Sequence, residues 1–167
     1  MERTYSLSLR SAEAWLLAGL FVVGNIALPQ LCHLVPQGGL MLLPIYFFTL
    51  VAAYKYGFGV GVVTAVLSPV INSLLFGMPA AAMLPIILVK SLLLAGGASL
   101  MARRMGRVTV LALVAVVLGY QVVGSLAEWA MTGSLTAAMQ DFRLGLPGMA
   151  LQVVGGYAVI KYLLNNR

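Results

Sequence analysis

The stretch Val108-Thr-Val-Leu-Ala-Leu-Val-Ala-Val-Val-Leu-Gly-Tyr-Gln-Val-Val-Gly-Ser-Leu-Ala-Glu-Trp-Ala-Met131 holds one charge, Glu128, in 24 residues. A helix needs roughly 20 predominantly apolar residues to cross the hydrocarbon core of a bilayer, so this run is long enough to span. It is also uninterrupted, whereas a strand of a membrane β-barrel alternates apolar and polar positions. The remainder of the chain is built the same way. Hydrophobic residues make up 62% of it and charged residues 8%, against roughly 25% charged in a soluble domain. The sequence therefore predicts an all-α membrane protein, a compact bundle of about six transmembrane helices over 12–31, 40–55, 58–76, 80–102, 108–131 and 145–164. The second is the shortest, with Pro44 near its start, where a missing N–H costs least. With 167 residues and no Ser-rich, Pro-rich or charge-rich linker, residues 1–167 form one integral-membrane domain.

The net charge of +6 reads as a topology signal once its placement is followed. With the N-terminus in the cytoplasm, Arg3, Arg10, Lys55, Arg103, Arg104, Arg107, Lys161 and Arg167 all fall inside and only Arg143 outside. That asymmetry places both termini in the cytoplasm and makes a nucleic-acid partner unnecessary to explain the charge. It also puts the two longest connections, 29–39 and 131–144, on the outer side, with the short turn 76–79. Long loops in a compact protein tend to bind or to cover a site. Arg10 ahead of the first apolar run resembles a signal peptide, but the run from Ala14 to Leu31 is long enough to span and reads as the first helix. Cys32 is the single cysteine and has no internal partner for a disulfide.

Charge within the bilayer is the next clue, since an ionised side chain at its centre costs at least about 2.5 kcal/mol. Lys90 and Glu128 stand inside predicted spans, Lys90 near mid-depth and Glu128 about two turns shallower. Gln121, Ser125 and Glu128 share one face of the fifth helix, flanked by Gly124 and Trp129. Gly148, Gln152 and Gly155 share a face of the sixth, with Tyr157 deeper, and Asn25 and Asn72 reach a similar outer depth on the first and third helices. The pattern points to an outward-opening pocket for a small polar molecule, with Lys90, Glu128, Gln121, Gln152, Asn72, Trp129, Tyr157 and Asn25 as substrate-binding candidates. Two readings of Lys90 follow. Its ammonium meets either Glu128, as polar residues pair in bundles, or an anionic group of the substrate. Ala14 and Ala18, four apart on the first helix, would let another helix approach closely, as would Gly57 and Gly61.

The stretch Leu67-Ser-Pro-Val-Ile-Asn-Ser-Leu-Leu-Phe-Gly-Met-Pro-Ala-Ala-Ala-Met-Leu-Pro85, the six helices, the basic inner ends and the long loop after the first helix resemble one family. It is the membrane-embedded substrate-binding subunit, or S component, of energy-coupling factor (ECF) vitamin transporters. The resemblance implies capture of a vitamin-like molecule from outside a bacterial cytoplasmic (inner) membrane. Delivery inward would be driven by a transmembrane coupling subunit and two ATPase subunits. It also implies that Ala14-Trp-Leu-Leu-Ala18 docks onto the coupling subunit. The chain has no phosphate-binding loop of its own, so ATP hydrolysis would belong to partners.

Other classes fare less well. Cys32 and His33 are a nucleophile and a base, but adjacent loop residues rarely present both groups to one atom, and no acidic orienter is near in sequence. One His, one Cys and scattered carboxylates match no metal-ligand spacing. No catalytic residue, metal or cofactor is therefore expected. A lone proton-coupled transporter would be expected to show an inverted repeat, and none is visible. An envelope-assembly scaffold of the rod-shape-determining kind shares the architecture but needs no polar pocket.

Overall fold

The structure is a computed structural model that describes residues 6–164; Arg3 and Arg167, counted above toward the inner side, lie outside that range. Among the described residues the chain is all-helical. Four helices are long and apolar enough to cross a membrane: α1 (Ala12–Cys32), α4 (Phe58–Phe76), α5 (Leu84–Met105) and α6 (Val110–Thr132). Between α1 and α4 come α2 (Gly38–Leu42), a 3-10 turn (Pro44–Tyr46) and α3 (Phe47–Tyr56). After α6 come α7 (Leu135–Ala138), α8 (Gln140–Leu144) and α9 (Leu146–Ala158), the last continued by a π-helical segment over Val159–Leu163. The pair Leu135–Leu144 and Leu146–Leu163 is bent by 52° and provides a fifth crossing if it is one broken span.

Local chemistry explains most boundaries. Ser11 and Thr109 cap α1 and α6 by accepting the amide N–H of Ala14 and Ala112, satisfying donors that the first turn leaves orphaned. Gly77, Gly106 and Gly133 end α4, α5 and α6 with φ of 66°, 64° and 67°, the left-handed conformation that only glycine adopts without strain.

The second predicted span departs most from a single straight helix. Leu43 sits at φ 45° and breaks the chain before Pro44, so α3 keeps only 10 residues, or about 15 Å of rise. Its position in the bundle accounts for this. Leu50, Val51, Ala52, Ala53 and Tyr54 are all fully buried, because α3 lies at the centre and packs against α1, α4, α5 and α9. A helix apolar all round belongs in an interior.

The bundle has a basic end and a loop end. Leu7 donates its N–H to the Tyr56 carbonyl at 3.0 Å, and the Tyr54 hydroxyl donates to the Arg107 carbonyl at 2.9 Å. Arg10, Lys55, Arg103, Arg104 and Arg107 gather at that end by chain order. At the opposite end, α2 packs on α8 and α9, and α8 also touches α6. The connection expected as an open loop over 131–144 is thus two short helices folded back onto the bundle.

Ala14 and Ala18, expected to face a partner helix, lie inside the bundle. Both are fully buried in the protein's own core, where α1 packs against α3 and α4. Their small side chains serve close packing within the chain, and a partner helix would have to displace α3 or α4 to reach them. The exposed face of α1 carries Trp15, Leu16, Leu20 and Val23 instead.

Candidate functional site

At the loop end, α5, α6 and α8 converge on a buried ionic cluster. Lys90 Nζ donates to Glu128 Oε2 at 2.6 Å and to Asp141 Oδ2 at 2.7 Å. The side chains of Lys90 and Glu128 retain 3% and 6% of their exposure and Asp141 17%, so the cluster is nearly withdrawn from solvent. The two-turn offset between Lys90 and Glu128 is closed by the lysine stem. That stem runs over Gly124, where an added Cβ would lie 2.7 Å from Lys90 Cγ. Gly124 therefore leaves the groove in which the lysine reaches the carboxylate one turn further along α6. Gly124→Val should push the stem aside and lower stability by about 1–3 kcal/mol, as read by thermal unfolding. An unchanged midpoint would show that the stem does not need this groove.

Glu128 is the counter-charge to Lys90 expected from the sequence. Asp141 is a second one, carried in by α8 from a segment expected to lie in an outer loop. One ammonium and two carboxylates leave a formal charge of 1 − 2 = −1 in the cluster. Each carboxylate spends one oxygen on Lys90. Glu128 Oε1 and Asp141 Oδ1 receive no hydrogen bond among the described residues.

Two cavities meet beside this cluster. The first, about 110 Å³, is walled by Lys90, Glu128 and Asp141 with Leu43, Tyr46 and Ile86. The second, about 210 Å³, is lined by Pro29, His33, Asn72 and Pro79 among others. Gly39, Leu40, Ile45 and Ile87 belong to both walls. The broken second span and the segment after α1 thus contribute to both walls of an adjoining pair of cavities, the recess, completed by Lys90 and Ile87 of α5, Glu128 of α6, Asp141 of α8 and Asn72 of α4.

The remaining sequence candidates divide. Asn72 lies in the wall of the second cavity and accepts from Gln30 Nε2 at 3.2 Å. Asn25 is outside both cavities: its Nδ2 donates to Thr49 Oγ1 and Ser68 Oγ at 3.0 and 3.2 Å, and its Oδ1 accepts from the Phe48 N–H at 3.1 Å. It ties α1, α3 and α4 together, a packing role. Gln121 Nε2 donates to the Tyr120 hydroxyl, which donates to Gln152 Oε1, so these amides bridge α6 and α9 inward of the ionic cluster. Gln121 Oε1 and Gln152 Nε2, with Ser91 Oγ and Ser125 Oγ, are buried and unpaired. Trp129 is 47% exposed and lines a separate apolar groove of about 290 Å³ with Leu126, Leu135 and Phe142. The Tyr157 hydroxyl accepts from Lys161 Nζ at 2.5 Å, one turn further toward the chain's end and away from the recess. Of the sequence candidates, Lys90, Glu128 and Asn72 thus line the cavities, and Asn25, Gln121, Gln152, Trp129 and Tyr157 do not.

Cys32 is buried and His33 lines the second cavity. Among the described residues no group of three His, Cys, Asp or Glu side chains could hold a metal ion. Comparison with known proteins found no matching family model, no matching curated protein and no matching solved structure.

Proposed function

We propose that this chain is the membrane-embedded substrate-binding subunit of an energy-coupling factor type importer in a bacterial cytoplasmic membrane. It would take a vitamin-like micronutrient from outside and pass it inward with a transmembrane coupling subunit and two ATPases. The observation that carries the reading is the recess at the loop end, whose wall holds the Lys90, Glu128 and Asp141 cluster. Buried charge inside a membrane bundle is costly and marks functional sites, and a concave pocket with a few convergent polar groups is the usual form of a small-molecule site. Segments on either side of the recess, 33–46 and 135–145, are short helices and turns rather than spans, the kind of element that can move to admit a ligand. In this reading 38–56 and 146–163 are the two irregular crossings that complete a six-span bundle. An envelope scaffold would have no use for such a recess.

The test of capture is native mass spectrometry of the protein purified in mild detergent. A co-purifying small molecule of defined mass supports it, and an empty protein that binds nothing from a micronutrient mixture overturns it. Orientation has its own expected result. In a background without Cys32, single cysteines at Val35 and Thr136 should react with an impermeant maleimide in intact cells, and one at Met105 should not. Labelling at Met105 alone would invert the arrangement and place the recess on the cytoplasmic side.

A further inference from the structure

Resting on the reading of the recess as a capture site, we infer that its substrate carries a single positive charge on an otherwise largely apolar body. The charge inventory is the first ground. Lys90 neutralises one of two carboxylates, and the cluster keeps a net charge of −1 in a place almost closed to water. A buried net charge is unfavourable unless a proton or a counter-charge joins it. Among the basic side chains of the described residues, Lys90 is the one in this wall, so a further cation would come from outside the chain.

The free acceptors are the second ground. Glu128 Oε1 and Asp141 Oδ1 receive no donor among the described residues and are not among the buried unpaired atoms, so they face the open space of the cavity. An ammonium or guanidinium group supplies several donors at once and would bridge both oxygens, as Lys90 bridges Oε2 and Oδ2. Tyr46 stands in the same wall and its ring packs against Tyr120 at 5.5 Å between centroids. It provides an aromatic surface of the kind organic cations favour. A carboxylate-bearing substrate would instead add a third negative charge to the cluster.

The shape of the recess sets the rest of the molecule. The 110 Å³ cavity at the cluster has room for a small head group, and the adjoining 210 Å³ cavity shares Leu40, Ile45 and Ile87 with it. An apolar body would lie along these three side chains, with His33 and Asn72 at its far end.

Thermal unfolding in lipid nanodiscs at neutral pH, with methylammonium, propylammonium and butylammonium, tests this directly. Butyrate and butanol serve as probes of equal size and different charge. The ammonium ions should raise the midpoint in a concentration-dependent way, more strongly as the chain lengthens, and butyrate and butanol should not. Asp141→Asn keeps the Lys90–Glu128 pair and should fold, but the response to butylammonium should disappear. A response undiminished in Asp141→Asn would overturn the assignment of the head group to this cluster. Stabilisation by butyrate instead would overturn the charge class and leave capture standing. Absence of any ammonium response overturns the inference, and the co-purifying molecule sought by native mass spectrometry then decides separately whether capture survives.

Discussion

Lys90→Met should destabilise the ligand-free protein by about 3–5 kcal/mol, the usual cost of removing one partner from a buried ion pair. The loss is not that of one contact. Lys90 is the single ammonium between Glu128 Oε2 and Asp141 Oδ2, at 2.6 and 2.7 Å, and without it two largely buried carboxylates are left side by side. Methionine restores the stem that packs over Gly124, so what is removed is mainly charge. Lys90→Met with Glu128→Gln should recover part of the stability, and addition of Asp141→Asn should recover most of the remainder, a non-additivity expected only of groups that interact. Unfolding of the four proteins by heat or denaturant in one detergent gives the answer. If Lys90→Met alone unfolds where the unaltered protein does, Lys90 is held for the substrate and not for its neighbours.

That two carboxylates share Lys90 marks the limit of what the sequence disclosed about the site. The α6 face of Gln121, Ser125 and Glu128 was legible because helical spacing fixes which residues stand together, and all three are buried on that face. Lys90 was legible because an uninterrupted apolar context makes a charge conspicuous. Asp141 was not, for its contact depends on α7 and α8 folding back across the end of the bundle, a long-range event without periodicity. The same holds for the second crossing. Its apolar content was plain, but the break at Leu43 is a single residue's backbone conformation and the burial of Leu50–Tyr54 depends on the helices packed around α3. Trp129 shares α6 with Glu128 of the wall yet turns elsewhere, because flanking a face by sequence does not fix a side chain's side, and Tyr157 stands on α9, which lines neither cavity.

Small residues expose the ambiguity most clearly. Ala14 and Ala18 signal that a helix comes close, and they are silent on whether that helix belongs to the same chain. Here it does. The Gly57 and Gly61 spacing is similarly mixed. Gly57 sits at φ 95° and ends α3, a turn requirement and not a packing one. Gly61 is where α4 meets α3 without a gap, since an added Cβ would lie 2.5 Å from Ala53 Cβ and 2.8 Å from Ala53 Cα.

Gly61→Val is accordingly expected to cost about 3 kcal/mol or more, at or beyond the upper end of what overpacking a core usually costs. At Gly124 the obstructing atoms belong to a lysine stem that can turn away; at Gly61 they are the Cα and Cβ of a helix, so relief requires the helices to part. Moving α3 is expensive because it is packed on every side and fully buried over Leu50–Tyr54. The displacement should also reach the recess, for α3 continues directly from the turn that carries Tyr46 in its wall. Stability and the response to butylammonium should therefore fall together in Gly61→Val. Gly119→Ala is the matching control: nothing lies within 4 Å of an added Cβ there, and glycine inside a helix is less favourable than alanine by about 1 kcal/mol. That substitution should leave the midpoint unchanged or raised. Equal unfolding midpoints for Gly61→Val and Gly119→Ala would mean that α3 and α4 do not meet at Gly61, and that the tight centre on which the recess rests is arranged differently.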